Sequence, residues 1–148
     1  MRRIALALLP LLTACGAVMG SGTGSSAPEM HVRDEWKADL VGTGIAAGMK
    51  GDAKAVTDGV KSQVTLNLQG GTPGHAYPWH VHSGVCGSTG AVVGPAGAYP
   101  MAVIGTDGKT SATAHLNFPL SKTGRYYVNV HASSRSMANI VACAPLSN

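Results

Sequence analysis

The chain carries little charge and few aromatic side chains: of its 148 residues, 12% are charged and 5% are aromatic. No run of basic residues is interleaved with aromatic ones, which argues against a nucleic-acid-binding surface. After the N-terminal apolar run, no stretch shows a long apolar period of 3.6 residues, so a helical fold is not expected. No internal repeat is present. These absences leave one compact, non-helical domain as the simplest organisation.

The N-terminal apolar run is too short to span a bilayer, for which a helix needs roughly 20 apolar residues. It follows Arg2 and Arg3, and a basic start before a short apolar segment is typical of a secretory signal. The sequence LTAC that ends at Cys15 resembles a bacterial lipobox, which implies a lipoprotein signal peptide at residues 1–14 and a lipid on Cys15. Gly16 directly follows this cysteine, and a residue other than aspartate at this position resembles lipoproteins that are sorted to the outer membrane. We therefore predict a periplasm-facing lipoprotein of the bacterial cell envelope, attached to the outer membrane through its lipid anchor.

Residues 15–28 are small, polar and rich in glycine, which is typical of a flexible tether. The folded domain is predicted at residues 29–148. Loss of the signal removes two of the 11 basic side chains and none of the seven acidic ones, which leaves a formal charge of +2 on the mature chain. Such a small positive net charge can attract a small anion.

Composition favours β-structure, since glycine is abundant (20 residues) and short patterned runs alternate with turn sequences such as Asp58-Gly59 and Asp107-Gly108. Many short strands separated by turns are typical of a β-sandwich or a β-barrel. The scarce aromatic residues are expected to fill a large share of the core. The predicted strands are Trp36 to Leu40, Gly44 to Met49, Val60 to Leu68, Trp79 to His82, Thr110 to Phe118 and Arg125 to His131.

Two histidines in one of these strands form a candidate site. His80 and His82 are two residues apart, and residues two apart on a strand point to the same face. Trp79 and Val81 would then pack on the opposite face. Two neutral imidazoles held in this way are half of a metal site. A further histidine, His131, lies in a second strongly β-patterned run.

The order of these residues resembles a known family. An H-x-H pair, Cys86, a strand with His131 and finally Cys143 follow one another as in the copper/zinc superoxide dismutase family. The match is closest in TPGHAYPWHVHSGVC, residues 72–86, and extends more weakly over residues 36–146. The resemblance implies an all-β fold, a Greek-key β-sandwich or barrel of the superoxide dismutase type, with copper as its cofactor and superoxide as the small anion it meets.

The same resemblance implies a ligand set. In the family, copper is held by the H-x-H pair and by a third histidine near the end of the chain, and His80, His82 and His131 match these by motif and order. Copper(II) suits imidazole ligands, and copper(I) accepts three-coordinate nitrogen sites. His75 resembles a family position that holds a copper ligand in place without binding the metal. A residue of a surface turn is the alternative interpretation of His75.

A zinc site is not expected. From Ser83 to Ala114, where the family places its bridging and zinc-binding residues, the chain has no histidine. The segment Gly94–Pro100 looks like the remnant of that region, with Ala96 near the place of the bridging histidine. Asp107 is the one acidic residue available there, and Asp-Gly is more simply a turn. We therefore predict copper without zinc.

The arginine that steers the anion in the family is also missing, because Ile140, Val141 and Ala142 stand directly before Cys143. Arg135 is a weak candidate to replace it, and a solvated loop arginine is the alternative interpretation. Without focusing of the anion and without a bridging ligand, dismutation near the diffusion limit is not expected. A slower activity with copper alone stays open.

Cysteine usage predicts one disulfide. If Cys15 carries lipid, two thiols remain in an exported and therefore oxidising compartment, Cys86 and Cys143. The family uses a cysteine pair in the same order. The bridge would connect the loop after the H-x-H strand to the last strand, and it would stabilise the fold by roughly 4 kcal/mol.

A second resemblance leaves the function open. YYVNVHAS, the H-x-H pair and a later Gly-Pro also look like the chordin-type bacterial β-sandwich domain, which implies a similar architecture without redox chemistry. Three hypotheses follow. The chain is an enzyme that dismutates superoxide with copper alone, or a binding protein that holds envelope copper or passes it to a partner protein. The third hypothesis is a structural β-sandwich domain whose histidines only satisfy polar contacts.

Overall fold

The structure, a computed structural model, describes residues 33–148. The predicted signal peptide at residues 1–14, the tether at residues 15–28 and the lipid-bearing Cys15 lie outside the described residues and stay predictions. Between residues 33 and 148, no helix has the length and apolar character required to cross a bilayer.

Strands dominate the described part of the chain, which confirms the prediction of an all-β fold. Two short 3-10 helices at Gly44–Ala46 and Ala96–Ala98 complete it. The strands are β1 (Asp34–Val41), β2 (Lys50–Thr57), β3 (Ser62–Gln69), β4 (Ala76–Tyr77), β5 (Trp79–Ser83), β6 (Ala102–Val103), β7 (Lys109–Leu116), β8 (Tyr126–His131) and β9 (Ile140–Leu146).

Two antiparallel sheets make up most of the fold. The strand order is β1-β2-β3-β7 in the first and β5-β8-β9 in the second, while β4 and β6 form a short pair of their own. Isolated bridges from Lys37 to Ser147 and from Gly42 to Ala142 connect β1 with β9. The two larger sheets are therefore linked along one side.

The core contains residues from both sheets. In β1, Trp36, Ala38 and Leu40 are buried, whereas Lys37 and Asp39 between them are exposed. Side chains alternate across a strand, so one face of this sheet packs in the core and the other faces solvent. The buried face of the second sheet joins the same hydrophobic cluster. Burial of these apolar side chains is the main stabilising contribution to the fold.

Strand β8 differs because both of its faces are covered. Val128 and Val130 lie in the core with no exposed surface, and Asn129 and His131 on the opposite face are still only 8% and 4% exposed. The loops at residues 84–91 and 132–139 hydrogen-bond to side chains of that opposite face. A second, partly polar interior therefore exists on the outer side of the second sheet.

Strand β5 is the outer strand of its sheet, and residues 91–93 cover its free edge. The Ser83 N–H donates to the Ala91 carbonyl at 3.0 Å, and the Val93 N–H donates to the Val81 carbonyl at 2.9 Å. An isolated antiparallel bridge lies between these two hydrogen bonds. The segment after the loop at residues 84–90 is thus a short continuation of the ladder, and it holds that loop against β5.

One predicted strand is wrong. The run from Gly44 to Met49 forms a short 3-10 helix and a turn, with Gly44 at a φ of 57°. The strand lies further on, in β2, where exposed charged residues alternate with the buried Ala53 and Ala55. Alanine contributes little to an apolar period, and the charged residues of β2 are types that also occur in turns. The sequence pattern therefore does not predict this strand. Strand β9 was also not among the predicted strands.

Candidate metal centre

Pairing between β5 and β8 places the three candidate histidines together. His80 and His82 lie opposite Asn129 and Tyr127 in the antiparallel register of the two strands. His131 is at the end of β8, next to a bulge in its pairing with β9, and its N–H donates to the Pro78 carbonyl at 2.8 Å. The predicted period of two therefore holds: the two histidines of β5 share the outer face of the sheet with His131.

The ring nitrogens of the three histidines converge. One nitrogen from each of His80, His82 and His131 lies within 4.8 Å of the other two. The Nδ1 of His80 is 3.3 Å from the Nε2 of His131. The ring centroid of His82 is 5.9 Å from that of His80 and 6.2 Å from that of His131. This arrangement can hold a metal ion between the three rings.

Backbone carbonyls determine the protonation of two of the rings. The Nδ1 of His82 is 2.8 Å from the Gly90 carbonyl, and the Nδ1 of His131 is 2.5 Å from the Met137 carbonyl. A carbonyl oxygen only accepts hydrogen bonds, so in the neutral form of each ring the proton lies on Nδ1 and Nε2 keeps a lone pair. A ring that donates one N–H to a carbonyl while its other nitrogen faces a metal is the usual state of a histidine ligand.

The Nε2 of His82 shows that the site suits a metal. This atom is buried and has no hydrogen-bond partner among residues 33–148. An unsatisfied buried acceptor costs about 1–3 kcal/mol, so a lone pair aimed at the centre of the cluster is expensive unless a ligand is bound there. Coordination to a metal would remove this cost.

His80 completes the set by a change of tautomer. Because the Nε2 of His131 has no proton, the Nδ1 of His80 donates the hydrogen bond between the two rings. To bind a metal ion together with the other two rings, His80 would carry its proton on Nε2 and offer the lone pair of Nδ1. The ligand atoms would be Nδ1 of His80 and Nε2 of the other two histidines.

Burial keeps these rings neutral. Desolvation, with smaller contributions from His131 and His82, lowers the pKa of His80 to about 4. Burial also lowers the pKa of His131, although the hydrogen bond to the Met137 carbonyl acts in the opposite direction. A neutral imidazole is the form that binds a metal, so at neutral pH both rings are ready to coordinate.

Two tyrosines pack on the cluster. The Tyr99 ring meets His80 edge-on at 5.3 Å, and its hydroxyl donates to the Val93 carbonyl at 2.7 Å. Burial raises the pKa of Tyr99 to about 12, so this side chain stays a neutral phenol. Tyr127 stacks on His82 with a centroid distance of 5.2 Å and an interplanar angle of 17°. Both tyrosines limit the rotation of the rings they contact.

The other predicted site residues lie around this centre. The His75 Nε2 donates to the Ala132 carbonyl at 2.7 Å, so His75 holds the backbone next to His131. Arg135 is exposed in the loop between β8 and β9, and its part in guiding an anion stays a prediction. Asp107 accepts the Lys109 N–H at 3.1 Å, as expected for a turn residue.

The predicted disulfide is confirmed. Cys86 and Cys143 are bonded, with their Cα atoms 5.9 Å apart, and they connect the loop after β5 to β9. Cys86 is exposed and Cys143 is partly buried. The bridge therefore holds the beginning of the loop whose far end supplies the Gly90 carbonyl to His82.

Several residues of the centre were not foreseen. Gly90 and Met137 contribute backbone carbonyls, which any residue has, so no side-chain pattern points to them. Tyr99 lies in the Gly94–Pro100 segment that the sequence marked as a remnant of a zinc region. In the structure, the Tyr99 ring of this segment packs against the His80 ring. The one weak signal was its tyrosine, in a chain with few aromatic residues.

Comparison with known proteins adds no assignment. A scan against models of protein families finds no match for this chain, and a search of curated proteins finds none either. The geometry of the histidine centre is therefore the observation from which a function has to be argued.

Proposed function

We propose that this chain is an exported copper protein in which His80, His82 and His131 hold one copper ion, on a Greek-key β-sandwich of the copper/zinc superoxide dismutase type. One observation carries the proposal: three imidazole nitrogens converge within 4.8 Å, and one of them is buried with no hydrogen-bond partner among residues 33–148. The third hypothesis, a structural domain, leaves that buried lone pair without a purpose.

Copper is the metal that this donor set suits best. The three proposed ligands are imidazoles, and within the described part of the chain the cluster contains no carboxylate or thiolate. Imidazole ligands suit copper in both oxidation states, whereas calcium and magnesium require oxygen ligands. Zinc in the family's style needs further ligands, and from Ser83 to Ala114 the chain has no histidine and one acidic residue. We propose that no zinc is bound.

The activity that we propose is dismutation of superoxide. Copper bound here would supply one-electron redox chemistry, as the removal of superoxide requires. The chain's own contribution is to hold three neutral rings in fixed orientations, through the carbonyls of Gly90 and Met137 and the ring contacts of Tyr99 and Tyr127. Fixed ligands need little rearrangement when the charge of the ion changes.

A second candidate function is supported by the burial of the site. His80 is 8% exposed and His131 is 4% exposed, and the one candidate guide for an anion, Arg135, lies in an exposed loop. A protein that stores envelope copper, or passes it to a partner protein, needs tight and selective binding and no fast access for superoxide. The same three histidines would serve this function.

Metal loading and turnover distinguish the candidates. The purified mature protein is loaded with copper, its stoichiometry is measured, and superoxide consumption is assayed beside the His131→Ala variant. His115→Ala is the matched control, because His115 is an exposed histidine on β7 in the other sheet. We expect one copper per chain, loss of binding and turnover in His131→Ala, and no change in His115→Ala.

Each outcome selects a hypothesis. Copper binding with no superoxide consumption would favour the storage or transfer function. Absence of copper binding in the parent protein would overturn both functions and leave the structural domain. The proposed lipid anchor is tested separately by labelling cells with a radioactive fatty acid, which should mark the parent chain and not the Cys15→Ser variant.

A further inference from the structure

We propose that Tyr127 is a positioning residue for His82: it holds the loop that fixes the tautomer of this ring, and through that tautomer it controls the metal affinity of the centre. The consequence for metal affinity rests on the proposed function. The effect on the tautomer does not, since it concerns a hydrogen bond within the chain itself.

The contacts of Tyr127 connect the His82 ring with the loop that follows β5. Its ring stacks on His82 from the directly opposite position of the neighbouring strand. Its hydroxyl donates to the Ser88 carbonyl at 2.8 Å and accepts the Gly90 N–H at 3.2 Å. The carbonyl of that same Gly90 accepts the Nδ1–H of His82 at 2.8 Å. One tyrosine thus contacts the ligand ring and also holds the residue that orients it.

Gly90 can occupy this place only because it has no side chain. A Cβ on Gly90 would lie 1.7 Å from the Ser83 carbonyl oxygen, which is far too close for two non-bonded atoms. The loop therefore passes directly against β5 and brings its carbonyl within reach of the His82 ring. The Tyr127 hydroxyl is the side-chain group that satisfies the Gly90 N–H on the other side of this close approach.

The tautomer matters because only one form of His82 can bind. A neutral imidazole carries its proton on either nitrogen, and the nitrogen with the proton cannot coordinate a metal. The Gly90 carbonyl favours the form with the proton on Nδ1, which leaves the lone pair on Nε2 toward His80 and His131. If the carbonyl moves, the other tautomer becomes populated and part of the protein loses its third ligand.

The disulfide does not replace this contact. Cys86 connects the beginning of the loop to β9, whereas Ser88 and Gly90 follow two and four residues later. The Tyr127 hydroxyl is the group that bonds to both of these later residues. The disulfide therefore acts on the beginning of the loop, whereas the tyrosine hydroxyl acts on its end near His82, beside the hydrogen bond from the Ser83 N–H to the Ala91 carbonyl.

The test uses Tyr127→Phe, which keeps the ring stacked on His82 and removes only the hydroxyl. The matched control is Tyr126→Phe, because the Tyr126 hydroxyl also accepts one backbone N–H, from Ser121, and its ring contacts Trp36 away from the histidines. Long-range proton–nitrogen NMR spectra of the metal-free full chain report the tautomer of each histidine. Copper affinity is then measured by competition with a chromophoric chelator.

We expect the parent protein and Tyr126→Phe to show His82 only with its proton on Nδ1. Tyr127→Phe should show a mixture of both tautomers and a copper affinity weakened in proportion to the fraction that keeps its proton on Nδ1, about twofold for an equal mixture. A single Nδ1–H tautomer in Tyr127→Phe, with parental affinity, would overturn the proposal. So would an equal change in both variants, since general loosening of the fold would then explain it. If no form of the protein binds copper, the proposed function fails, and the tautomer spectra still decide the role of Tyr127.

Discussion

Removing the disulfide offers a quantitative test of what stabilises the fold. Cys86 and Cys143 are 57 residues apart in sequence, and a cross-link that closes a loop of this length lowers the entropy of the unfolded chain and so raises its free energy by about 4 kcal/mol at 25 °C. Cys86 is exposed and Cys143 only partly buried, so replacing both by alanine removes little packed surface. The double variant Cys86→Ala/Cys143→Ala should therefore lose mainly the constraint on the unfolded chain.

The assay is equilibrium unfolding in urea, followed by the fluorescence of the buried Trp36 and Trp79. With a urea m-value of about 1–3 kcal/mol/M, a loss of about 4 kcal/mol moves the midpoint down by more than 1 M. The m-value should also rise, because an unfolded chain without the cross-link exposes more surface. Parent protein treated with a reductant is the control, and it should behave like the double variant. A free energy of unfolding within about 1 kcal/mol of the parent would refute the reasoning.

Three further predictions concern the histidine centre and the core. The pKa of His80 is about 4 in the folded protein against 6.5 for the ordinary side chain, so the unfolded state binds more protons between these values. The free energy of unfolding of the metal-free protein should therefore fall by up to about 3 kcal/mol as the pH is lowered from 6.5 to 4, and His80→Gln should flatten this dependence in urea titrations. Leu66 is fully buried, so Leu66→Ala should cost about 2–5 kcal/mol in the same assay, whereas the exposed Gln63→Ala should cost almost nothing. Removing copper with a chelator should lower the unfolding free energy by about 2.7 kcal/mol relative to protein with free copper at a hundredfold excess over Kd, and an unchanged melting temperature would contradict metal binding to the folded state.

Local periodicity was enough to predict two of the three histidines of the centre. His80 and His82 share a face because alternation is a property of any strand, whatever surrounds it. The contribution of His131 depends on the register between β5 and β8, which pattern alone does not specify. Its place among the ligands was inferred from the resemblance to a family with the same order of residues, and the structure brings its ring to the same point.

The features that the sequence did not predict leave little or no pattern in the side chains. Strand β2 buries Ala53 and Ala55, and such small side chains give almost no apolar period. The carbonyls of Gly90 and Met137 orient two of the histidines, yet a carbonyl belongs to every residue, so only the path of the chain reveals which ones are used. The stacking of Tyr127 on His82 follows from cross-strand pairing and was expected only as core packing.

The short ladder along β5 links the proposed metal binding to solubility. A strand with an unpaired edge is a template on which a second molecule can add its own strand. Residues 91–93 occupy that edge, and they directly follow the Gly90 that orients His82. Shortening or loosening this loop would uncover the edge and free the imidazole at the same time. Variants that lose copper through changes in this segment should therefore also be the ones that self-associate into aggregates.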